Sequence, residues 1–256
     1  MKMHGKKALV VGVANERSIA WAIAQAMHRE GCELAFTFLG EALERRVRPL
    51  AESIGAKIIL PCDVRNEDQV TEVYKILTQK WGAMDSLVHC IAYAERQDLE
   101  GSFVATSRSG FMTALDVSAY SLISLVRGAL PLMLNAGGAS VVTLSYYGAE
   151  KVIPNYNVMG VAKAALECSV RYLAAELGPQ NIRINSLSAG PVRTLAAAGI
   201  RGFKGMLQVV ESKAPLRRNV SLDEVAEAGL FLLSPQSGGV TGETLYVDSG
   251  YQILGM

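Results

Sequence analysis

The stretch of sequence that decides the fold of this chain joins a buried strand to a packed helix through a short loop. It reads Leu144-Ser-Tyr-Tyr-Gly-Ala-Glu-Lys-Val-Ile-Pro-Asn-Tyr-Asn-Val-Met-Gly-Val-Ala-Lys-Ala-Ala-Leu166. Residues 139–144 form a short apolar run typical of a buried strand, and the residues after Pro154 carry the Ala-rich apolar face of a helix. A buried strand that leads into a helix is the repeating unit of parallel α/β proteins.

The same alternation of strand and helix runs through the whole chain. Short apolar runs predict strands at residues 6–11, 33–38, 57–60, 86–91, 139–144, 182–187 and 244–247. Helical patterns predict helices at residues 19–30, 43–54, 66–80, 108–134, 156–177 and 222–233. This order predicts a single-domain doubly wound Rossmann-type α/β fold over residues 1–256, with a seven-stranded parallel sheet and helices on both faces.

Two long segments, 93–107 and 190–205, show no such periodicity. Each follows a predicted strand, so we expect both at the carboxyl edge of the sheet, where ligands bind in folds of this class. Long loops at that edge are more often functional than decorative.

Composition excludes several classes of function. The chain has 256 residues, of which 50% are hydrophobic and 19% are charged, so it is globular and not disordered. The net charge of +1 comes from interspersed basic and acidic residues, which predicts no nucleic-acid partner. We expect no membrane partner, because no apolar run reaches the roughly 18 residues that span a bilayer. A polar N-terminus that leads into a strand predicts no signal peptide and a cytoplasmic protein.

Cysteine and histidine usage gives no sign of a metal site. The four cysteines are scattered without Cys-x-x-Cys spacing, which is typical of reduced thiols packed as small hydrophobes. The three histidines have no ligand spacing, and His89 lies in an apolar strand, so we expect it to be structural.

The first strand leads into a turn that predicts a pyrophosphate site. The turn reads Gly12-Val-Ala-Asn-Glu-Arg-Ser18-Ile19-Ala20 and opens a helix. Gly12 permits a close approach of phosphates, and a helix start offers free N–H groups and a positive dipole end. The usual Gly-x-Gly-x-x-Gly pattern is absent, however, so the alternative is an ordinary strand-to-helix turn with Ser18 as an N-cap.

Two further strand ends are candidates for the adenosine half of a dinucleotide. Asp63-Val64, just beyond the third strand, either receives the adenine or caps the next helix. The second strand ends Phe38-Leu39-Gly40-Glu41, with no acid at its tip for a ribose 2′-hydroxyl and no arginine for a 2′-phosphate. Arg45 and Arg46 lie further on, in a predicted helix. The pattern therefore favours NAD over NADP, but only slightly.

Three polar groups stand out in the opening stretch, namely Tyr146, Tyr156 and Lys163. Lys163 follows Tyr156 by seven residues, or about two turns, so a helix places both on one face. The alternatives are a Tyr156 that only packs its ring and a Lys163 that lies on the surface, although its neighbours are apolar. The role of Tyr146 stays open between structural and functional.

Together these motifs resemble those of the bacterial NADH-dependent enoyl-acyl-carrier-protein reductases, within the short-chain dehydrogenase/reductase superfamily. The resemblance covers almost the whole chain, and the motifs that carry it are Gly12-Val-Ala-x-x-x-Ser18-Ile-Ala, Asp63-Val64, His89-x-Ile91-Ala-Tyr93-Ala94, Leu144-Ser-Tyr146, Pro154-Asn-Tyr156-Asn-Val-Met-Gly-x-Ala-Lys163, Ser188-Ala-Gly190-Pro191-Val-Arg-Thr194-Leu195-Ala196, Ala214-Pro-Leu-Arg-Arg and Gly242-Glu with Val247-Asp-Ser-Gly-Tyr.

Three features separate the chain from most of that superfamily. Gly160 stands where the lysine of Tyr-x-x-x-Lys is usual, and Tyr146 stands where a catalytic serine is usual. The run Cys90-Ile91-Ala92-Tyr93 replaces the usual Asn-Asn-Ala-Gly. All three differences point to enoyl reduction and away from carbonyl reduction.

The resemblance implies a reaction and a set of residues. Hydride from NADH, with NADPH not excluded, would reduce a trans-2-enoyl thioester in the last step of the fatty-acid elongation cycle. The implied catalytic residues are Tyr146, Tyr156 and Lys163. The implied cofactor-binding residues are Gly12, Ser18, Ile19, Leu39, Asp63, Val64, Ile91, Lys163, Val192, Thr194, Leu195 and Ala196. The implied substrate-binding residues are Ala94, Tyr146, Tyr156, Phe203 and Met206.

The implied roles centre on the charge that builds on the thioester oxygen. Tyr156 would donate a hydrogen bond to that oxygen, and loss of one such donor typically costs roughly 3–4 kcal/mol of barrier. Lys163 would hold the nicotinamide ribose, and its charge would favour an ionised or strongly donating tyrosine.

A flap over the acyl chain is expected around residues 194–208. It carries Ile200, Phe203 and Met206 for hydrophobic contact, and Gly199, Gly202 and Gly205 to ease movement. The alternative is a floppy surface loop. Arg201 and Lys204 on this flap could meet an acidic acyl carrier protein, the expected partner. The apolar C-terminal end would suit a homotetramer, as the resemblance implies.

Two rival functions stay open on the sequence alone. One is another short-chain reductase that acts on a carbonyl such as a 3-oxoacyl thioester, which the missing Tyr-x-x-x-Lys argues against. The other is a non-catalytic dinucleotide-binding sensor or assembly protein, which has no need of the Tyr156/Lys163 pair.

Overall fold

A computed structural model describes residues 2–198 and 201–255 of the chain. Its sheet has seven strands, all parallel, in the order β3-β2-β1-β4-β5-β6-β7. The strands are β1 (Lys7–Val11), β2 (Glu33–Phe38), β3 (Ile58–Pro61), β4 (Ser86–His89), β5 (Ala139–Ser145), β6 (Ile182–Ala189) and β7 (Thr244–Val247). The predicted doubly wound fold is confirmed.

The α-helices connect these strands, and five short 3₁₀ turns lie between them in the described part of the chain. The helices are α1 (Ile19–Arg29), α2 (Gly40–Ser53), α3 (Glu67–Trp81), α4 (Arg96–Leu99), α5 (Arg108–Leu115), α6 (Ser121–Asn135), α7 (Asn157–Leu177), α8 (Leu195–Ala198), α9 (Phe203–Lys213) and α10 (Leu222–Leu233). The α2 helix begins at Gly40, three residues before the predicted start, and its first turn contains Glu41.

The two faces of the sheet carry separate hydrophobic cores. On one face, α1, α2 and α10 pack on strand residues such as Val10 and Phe36. On the other face, α3, α6 and α7 pack on residues such as Leu9 and Leu87. Adjacent residues of β1, Leu9 and Val10, thus face opposite cores, as the two-residue period of a strand requires. Both faces are apolar, which is why the strands read as continuous hydrophobic runs.

The strand order reverses between β1 and β4, and this reversal creates the crevice in which doubly wound folds bind ligands. Val11 pairs with His89 at the carboxyl ends of the two strands. Just beyond, Gly12 has φ +101°, and a Cβ at this position would lie 2.1 Å from the Cys90 carbonyl oxygen. Only glycine lets β1 turn this close to β4.

The predicted helix 108–134 is one helical region with an interruption. A π-helical turn at Asp116–Tyr120 joins α5 to α6. In that turn the Ser118 hydroxyl accepts from the Tyr93 backbone N–H (3.0 Å) and donates to the Tyr93 carbonyl (3.2 Å). The insertion therefore fastens the segment that follows β4. Such π insertions are frequent at functional sites.

The helical region Arg108–Asn135 corrects one expectation from the sequence. By length and composition it is apolar enough to cross a membrane, with a mean hydropathy of 1.5 in its most apolar window. Of that window, 61% is buried inside the protein, where α6 packs on the sheet. It is accounted for as a core helix, and the expectation that no apolar run is this long was wrong.

The second non-periodic segment, 190–205, is also more ordered than predicted. It contains α8 and the start of α9, so the described part of the predicted flap is largely helical. Gly202 is the N-cap of α9 with φ +83°, whereas Gly205 lies inside the helix and does not act as a break. The predicted contributions of Gly199 and Ile200 lie outside the described residues.

The β1–β4 contact gives a testable consequence for stability. Gly12→Ala should lower the free energy of unfolding by about 3 kcal/mol, because it adds a left-handed backbone cost to a backbone clash. Gly55→Ala is the matched control, since Gly55 has φ +76° but open space around its Cβ position. That control should lose about 1 kcal/mol. Urea unfolding measures both, and equal losses would contradict the proposed close approach.

Candidate active site

The turn after β1 is built around the Ser18 side chain. The Ser18 hydroxyl accepts from the backbone N–H groups of Ala14 (3.0 Å) and Asn15 (2.9 Å) and donates to the Asn15 carbonyl (2.6 Å). Ser18 occupies the N-cap position of α1 but makes no capping bond with its side chain. The N-cap alternative is therefore right about position and wrong about the role of the hydroxyl, which shapes the turn.

The start of α1 remains available to an anion. Ile19 opens the helix, the first turn contains no acidic residue, and His28 and Arg29 lie in the last turn. The N–H groups of a first helical turn have no partner within the helix, and the dipole there is positive. Together with the closeness allowed by Gly12, this arrangement fits a pyrophosphate.

The second candidate region lies at the carboxyl ends of β2 and β3. Leu39 is the N-cap residue of α2 and is 53% exposed. The Asp63 carboxylate forms a bidentate pair with Arg65 (2.8 and 3.1 Å), which lowers the pKa of Asp63. The alternative of Asp63 as a helix cap is wrong, since Asn66 caps α3 by accepting from the Gln69 N–H. Val64 follows Asp63 and is half-buried.

Tyr156 is the N-cap residue of α7 and is buried, with 8% of its surface exposed. Its ring meets the Tyr146 ring edge to face, with centroids 5.0 Å apart. A Cβ on Gly148 would lie 2.5 Å from the Tyr156 ring, and one on Gly160 would lie 2.7 Å from the Gly148 carbonyl oxygen. The two glycines therefore let the loop after β5 close onto the start of α7.

Burial keeps the Tyr156 phenol neutral. It raises the pKa of Tyr156 far above the usual value, and the nearby Tyr146 and Glu167 raise it further. Burial likewise raises the pKa of Tyr146 to about 12. From the sequence, Lys163 is expected to favour either an ionised or a strongly donating Tyr156. The raised pKa disfavours the ionised form, so Tyr156 is a neutral hydrogen-bond donor.

Lys163 is buried two turns along α7, with 5% of its surface exposed. Its amine donates to the Leu144 carbonyl at 2.5 Å, which joins α7 to the end of β5. Burial lowers the pKa of Lys163 to about 8, opposed by Cys90 and Glu167. The surface-lysine alternative is wrong, and the amine lies at the end of β5.

The residues predicted to contact the nicotinamide lie at the ends of β4 and β6. Ile91 is half-buried against the core of α3, α6 and α7, and Val192 against the opposite core. The Thr194 hydroxyl accepts from the Ala197 N–H at 3.1 Å and so holds the first turn of α8. Leu195 is 46% exposed. The side chain of Ala196 lies outside the described part of the structure.

A third hydrophobic cluster surrounds Tyr156 and forms a candidate substrate wall. It includes two of the predicted residues, Ala94 and Tyr146. Leu99, Phe111 and Ile153, which were not predicted, also pack there. A sequence signal existed for Leu99, because it lies in the non-periodic segment 93–107 that follows a predicted strand.

Phe203 and Met206 are not members of the Tyr156 cluster. They are half-buried on α9, on the same face as the buried Leu207 and Val210, with spacings of three, four and seven residues from Phe203. This spacing gives α9 one apolar face. The structure thus brings Tyr146, Tyr156 and Ala94 together and leaves Phe203 and Met206 outside this cluster, on α9.

A comparison with family models decides the assignment. The model described as enoyl-(acyl carrier protein) reductase matches residues 12–252. This chain belongs to the enoyl-acyl-carrier-protein reductase family. The match spans the turn after β1, the ends of β2 and β3, the Tyr156 cluster and α9.

Individual relatives agree with this assignment over full length. Proteins named enoyl-[acyl-carrier-protein] reductase [NADH] FabI are similar in Nostoc sp. (51% identity, all of both chains) and Bacillus cereus (49%, 99% of each chain). Two solved structures are also similar. The reductase of Anaplasma phagocytophilum in complex with NAD has 50% identity and a TM-score of 0.96, covering 100% of this chain and 97% of that one. The Bacillus cereus reductase with NADP+ and an indole naphthyridinone has 49% identity and a TM-score of 0.96 over both whole chains.

This reductase has buried polar groups whose hydrogen-bond partners the sequence did not reveal. His89 lies between Thr143 (Nδ1, 2.7 Å) and Ser121 (Nε2, 2.8 Å). Ser121 donates to the Val117 carbonyl, so its oxygen accepts from Nε2–H and Nδ1 accepts from Thr143. Burial lowers the pKa of His89 to about 3, so it is a neutral structural histidine, as predicted.

Glu167 is the second unpredicted group. It is buried one turn beyond Lys163, and its carboxylate accepts from the Ser145 hydroxyl. Burial raises its pKa. The four-residue spacing from Lys163 was visible in the sequence, but the partner on β5 was not. Among residues 2–198 and 201–255, no group of three possible metal ligands occurs.

The burial of Lys163 gives a pH-dependent contribution to stability. Its pKa is about 8 in the folded state and 10.5 when unperturbed, so the unfolded chain binds more protons between these values. Stability therefore rises with pH in that window because of this group. The free energy of unfolding of the wild type relative to Lys163→Met should increase from pH 7.5 to about 9.5.

Urea unfolding at the two pH values measures this difference. Lys151→Met is the control, since Lys151 is exposed and its replacement should give the same difference from wild type at both pH values. A pH-independent difference for Lys163→Met would show that Lys163 is not desolvated in the folded protein.

Proposed function

We propose that this reductase reduces the trans-2 double bond of enoyl-acyl-carrier-protein thioesters with NADH, as the last step of the fatty-acid elongation cycle. The observation that carries the proposal is the neutral, buried Tyr156 hydroxyl beside Tyr146, two turns from the buried amine of Lys163. A neutral donor in a low-dielectric site is suited to an oxygen on which charge develops.

The residues present fit a dinucleotide. Gly12 lets the chain after β1 pass close to the segment after β4, and the first turn of α1 offers a pyrophosphate N–H groups that have no partner within the helix. Leu39, Asp63 and Val64 would receive the adenosine half. When bound, NADH supplies the hydride that reduces the β-carbon of the substrate.

Lys163 and the segment after β6 would hold the nicotinamide half. The Lys163 amine has three N–H groups and uses one on the Leu144 carbonyl, so two remain for ribose hydroxyls. Ile91, Val192, Thr194 and Leu195 would flank the ring. Ala196, which belongs to the same predicted set, follows them in α8.

Tyr156 would act on the thioester oxygen. As hydride reaches the β-carbon, negative charge moves to that oxygen and forms an enolate, which the Tyr156 hydroxyl stabilises by donating a hydrogen bond. Its raised pKa keeps the proton on the phenol until the charge has developed. Tyr146 packs edge-on against the Tyr156 ring and would orient it and the substrate.

NADH is favoured over NADPH by a carboxylate that lies three residues beyond the end of β2, in α2. Glu41 lies in the first turn of α2 and would repel a 2′-phosphate. Arg45 is 3.4 Å from Glu41, which partly neutralises it. The Bacillus cereus relative was solved with NADP+, so both cofactors belong in the test.

The partners and location follow from surfaces and from the family. Arg201 and Lys204 are exposed beside α9 and would meet an acidic acyl carrier protein. Ile253, near the C-terminus, is 67% exposed, which suits burial in a homotetramer. A carrier-protein substrate implies a cytoplasmic enzyme.

The decisive assay follows NADH absorbance with a crotonyl thioester. Turnover is expected. No turnover with NADH or NADPH would refute the proposal, and turnover of an acetoacetyl thioester instead would favour the carbonyl-reductase rival. Cofactor binding with no turnover of either substrate would favour the non-catalytic rival.

Tyr156→Phe should lower kcat by about 100-fold to 1,000-fold, since it removes one donor to the developing oxyanion. The NADH dissociation constant should stay within about twofold, because we place Tyr156 against the substrate and not the cofactor. Tyr172→Phe is the control on the same helix, as Tyr172 is 76% exposed. A small loss of kcat in Tyr156→Phe would remove the proposed donor role.

Lys163→Met should weaken NADH binding by about tenfold or more, through loss of charged hydrogen bonds to the ribose. Because its pKa is about 8, the affinity of the wild type should fall as the pH is raised through 8, when the amine loses its proton. In Lys163→Met this pH dependence should be absent. Fluorescence titration of NADH measures both, and unchanged affinity at pH 7 would contradict the ribose role.

A further inference from the structure

Tyr156 is flanked by two asparagines that share an unusual backbone conformation. Asn155 has φ 62° and Asn157 has φ 31°, both in the left-handed region. L-residues rarely adopt this region, and asparagine is among the few that tolerate it. The reaction scheme gives neither residue a role, although both belong to the motif around the tyrosine.

Each asparagine amide holds a different segment of the chain. The Asn155 Nδ2 donates to the Arg201 carbonyl at 3.0 Å, directly before the N-cap of α9. The Asn157 Nδ2 donates to the Gly101 carbonyl at 3.2 Å, between α4 and the 3₁₀ turn Phe103–Ala105. The two partners lie 46 and 56 residues away in sequence.

The first held segment packs on the cluster around Tyr156, and the second begins beside Asn155, the residue before Tyr156. The α4 helix contributes Leu99 to that cluster. In the 3₁₀ turn after α4, Phe103 is 51% exposed and Val104 is 93% exposed. The α9 helix carries Phe203 and Met206 on its apolar face. Each held segment thus carries apolar side chains that a long acyl chain would contact.

The asparagine bonds act at the loosely held ends of these segments. Asp98 closes the base of the first segment by accepting from the Ser107 N–H (2.7 Å) and hydroxyl (2.9 Å). Among the described residues, Asn157 makes the one hydrogen bond that reaches residues 100–105 from a side chain outside the first segment. In the second segment, Asn219 donates to Leu207 in the middle of α9, which leaves the start of the helix to Asn155.

We infer that Asn155 and Asn157 are positioning residues that tie the two held segments to the backbone of Tyr156. These ties thereby set the preference for long acyl chains. The contact of the two held segments with the acyl chain is then coupled to the position of the Tyr156 hydroxyl. The effect of losing either asparagine bond should grow with the length of the acyl chain, because a long acyl chain contacts both held segments and a crotonyl group does not reach them. This inference rests on the proposed function for its substrate.

Asn155→Asp and Asn157→Asp test it, since aspartate keeps the shape and tolerates the left-handed backbone but its carboxylate cannot donate. Asn155→Gly and Asn157→Gly keep the backbone and remove the side chain. The matched control is Asn181→Asp. Asn181 has φ 60° and donates to the Gly137 carbonyl at 3.1 Å, at the amino edge of the sheet, opposite the site.

The first measurement is kcat/KM for dodecenoyl and crotonyl thioesters of acyl carrier protein. Loss of one hydrogen bond should lower the dodecenoyl-to-crotonyl ratio by about fivefold, mainly through KM, in the Asp and Gly variants alike. Asn181→Asp should keep the wild-type ratio. Wild-type ratios in the Gly variants would show that the amides do not act and would overturn the inference, as would a changed ratio in Asn181→Asp.

The second measurement is amide hydrogen exchange, which needs no activity. Asn155→Asp should speed exchange in residues 202–213 and not in 99–106, and Asn157→Asp should do the reverse. Exchange that is unchanged in both variants would overturn the tie between segments and tyrosine. If the wild type reduces no enoyl thioester, the proposed function fails, and the exchange result still decides whether the two amides hold these segments.

Discussion

The contact on which the site depends is the packing of the β5–α7 loop against the start of α7. Gly148 lies against the Tyr156 ring, and Gly160 lies beneath the Gly148 carbonyl, at distances that exclude a methyl group on either residue. This approach sets the 5.0 Å contact between the Tyr146 and Tyr156 rings. It also brings the end of β5 within reach of the Lys163 amine. One steric constraint therefore fixes the contact between the two tyrosine rings and the approach of β5 to α7.

Burial then decides the chemistry of those groups. It raises the pKa of Tyr156 and lowers that of Lys163 to about 8, since a low-dielectric site favours the neutral form of each. The pair is thus not a tyrosinate–lysinium ion pair. A phenol that keeps its proton can donate to an oxygen as charge builds there, and a lysine still protonated at pH 7 can hold a ribose. Desolvation therefore suits the role of Tyr156, whereas Lys163 keeps the charge that its role needs only below its pKa of about 8.

The fold could be predicted because its signals are local. Continuous apolar runs such as that of β1 specify strands buried on both faces, and the order of elements specifies the parallel sheet. The error at residues 190–205 has a physical cause. Gly202 and Gly205 look like breaks, but Gly202 is an N-cap and the apolar spacing that begins at Phe203 forms α9. A glycine specifies permissive backbone and does not reveal which conformation the rest of the chain selects.

The site was predictable in its centre and not in its surroundings. The spacing of Tyr156 and Lys163 is a local pattern, so it could be recognised in the sequence. The hydrogen bonds of Asn155, Asn157 and His89 could not, because their partners lie more than 30 residues away. Tyr156 itself shows the limit of the helical argument, because it precedes α7 and sits between two left-handed residues. Its placement follows from that turn and from Gly148, not from helix geometry. Lys163 therefore lies within α7, whereas Tyr156, seven residues earlier, lies just before the helix. At that position the two held segments reach the backbone on both sides of Tyr156.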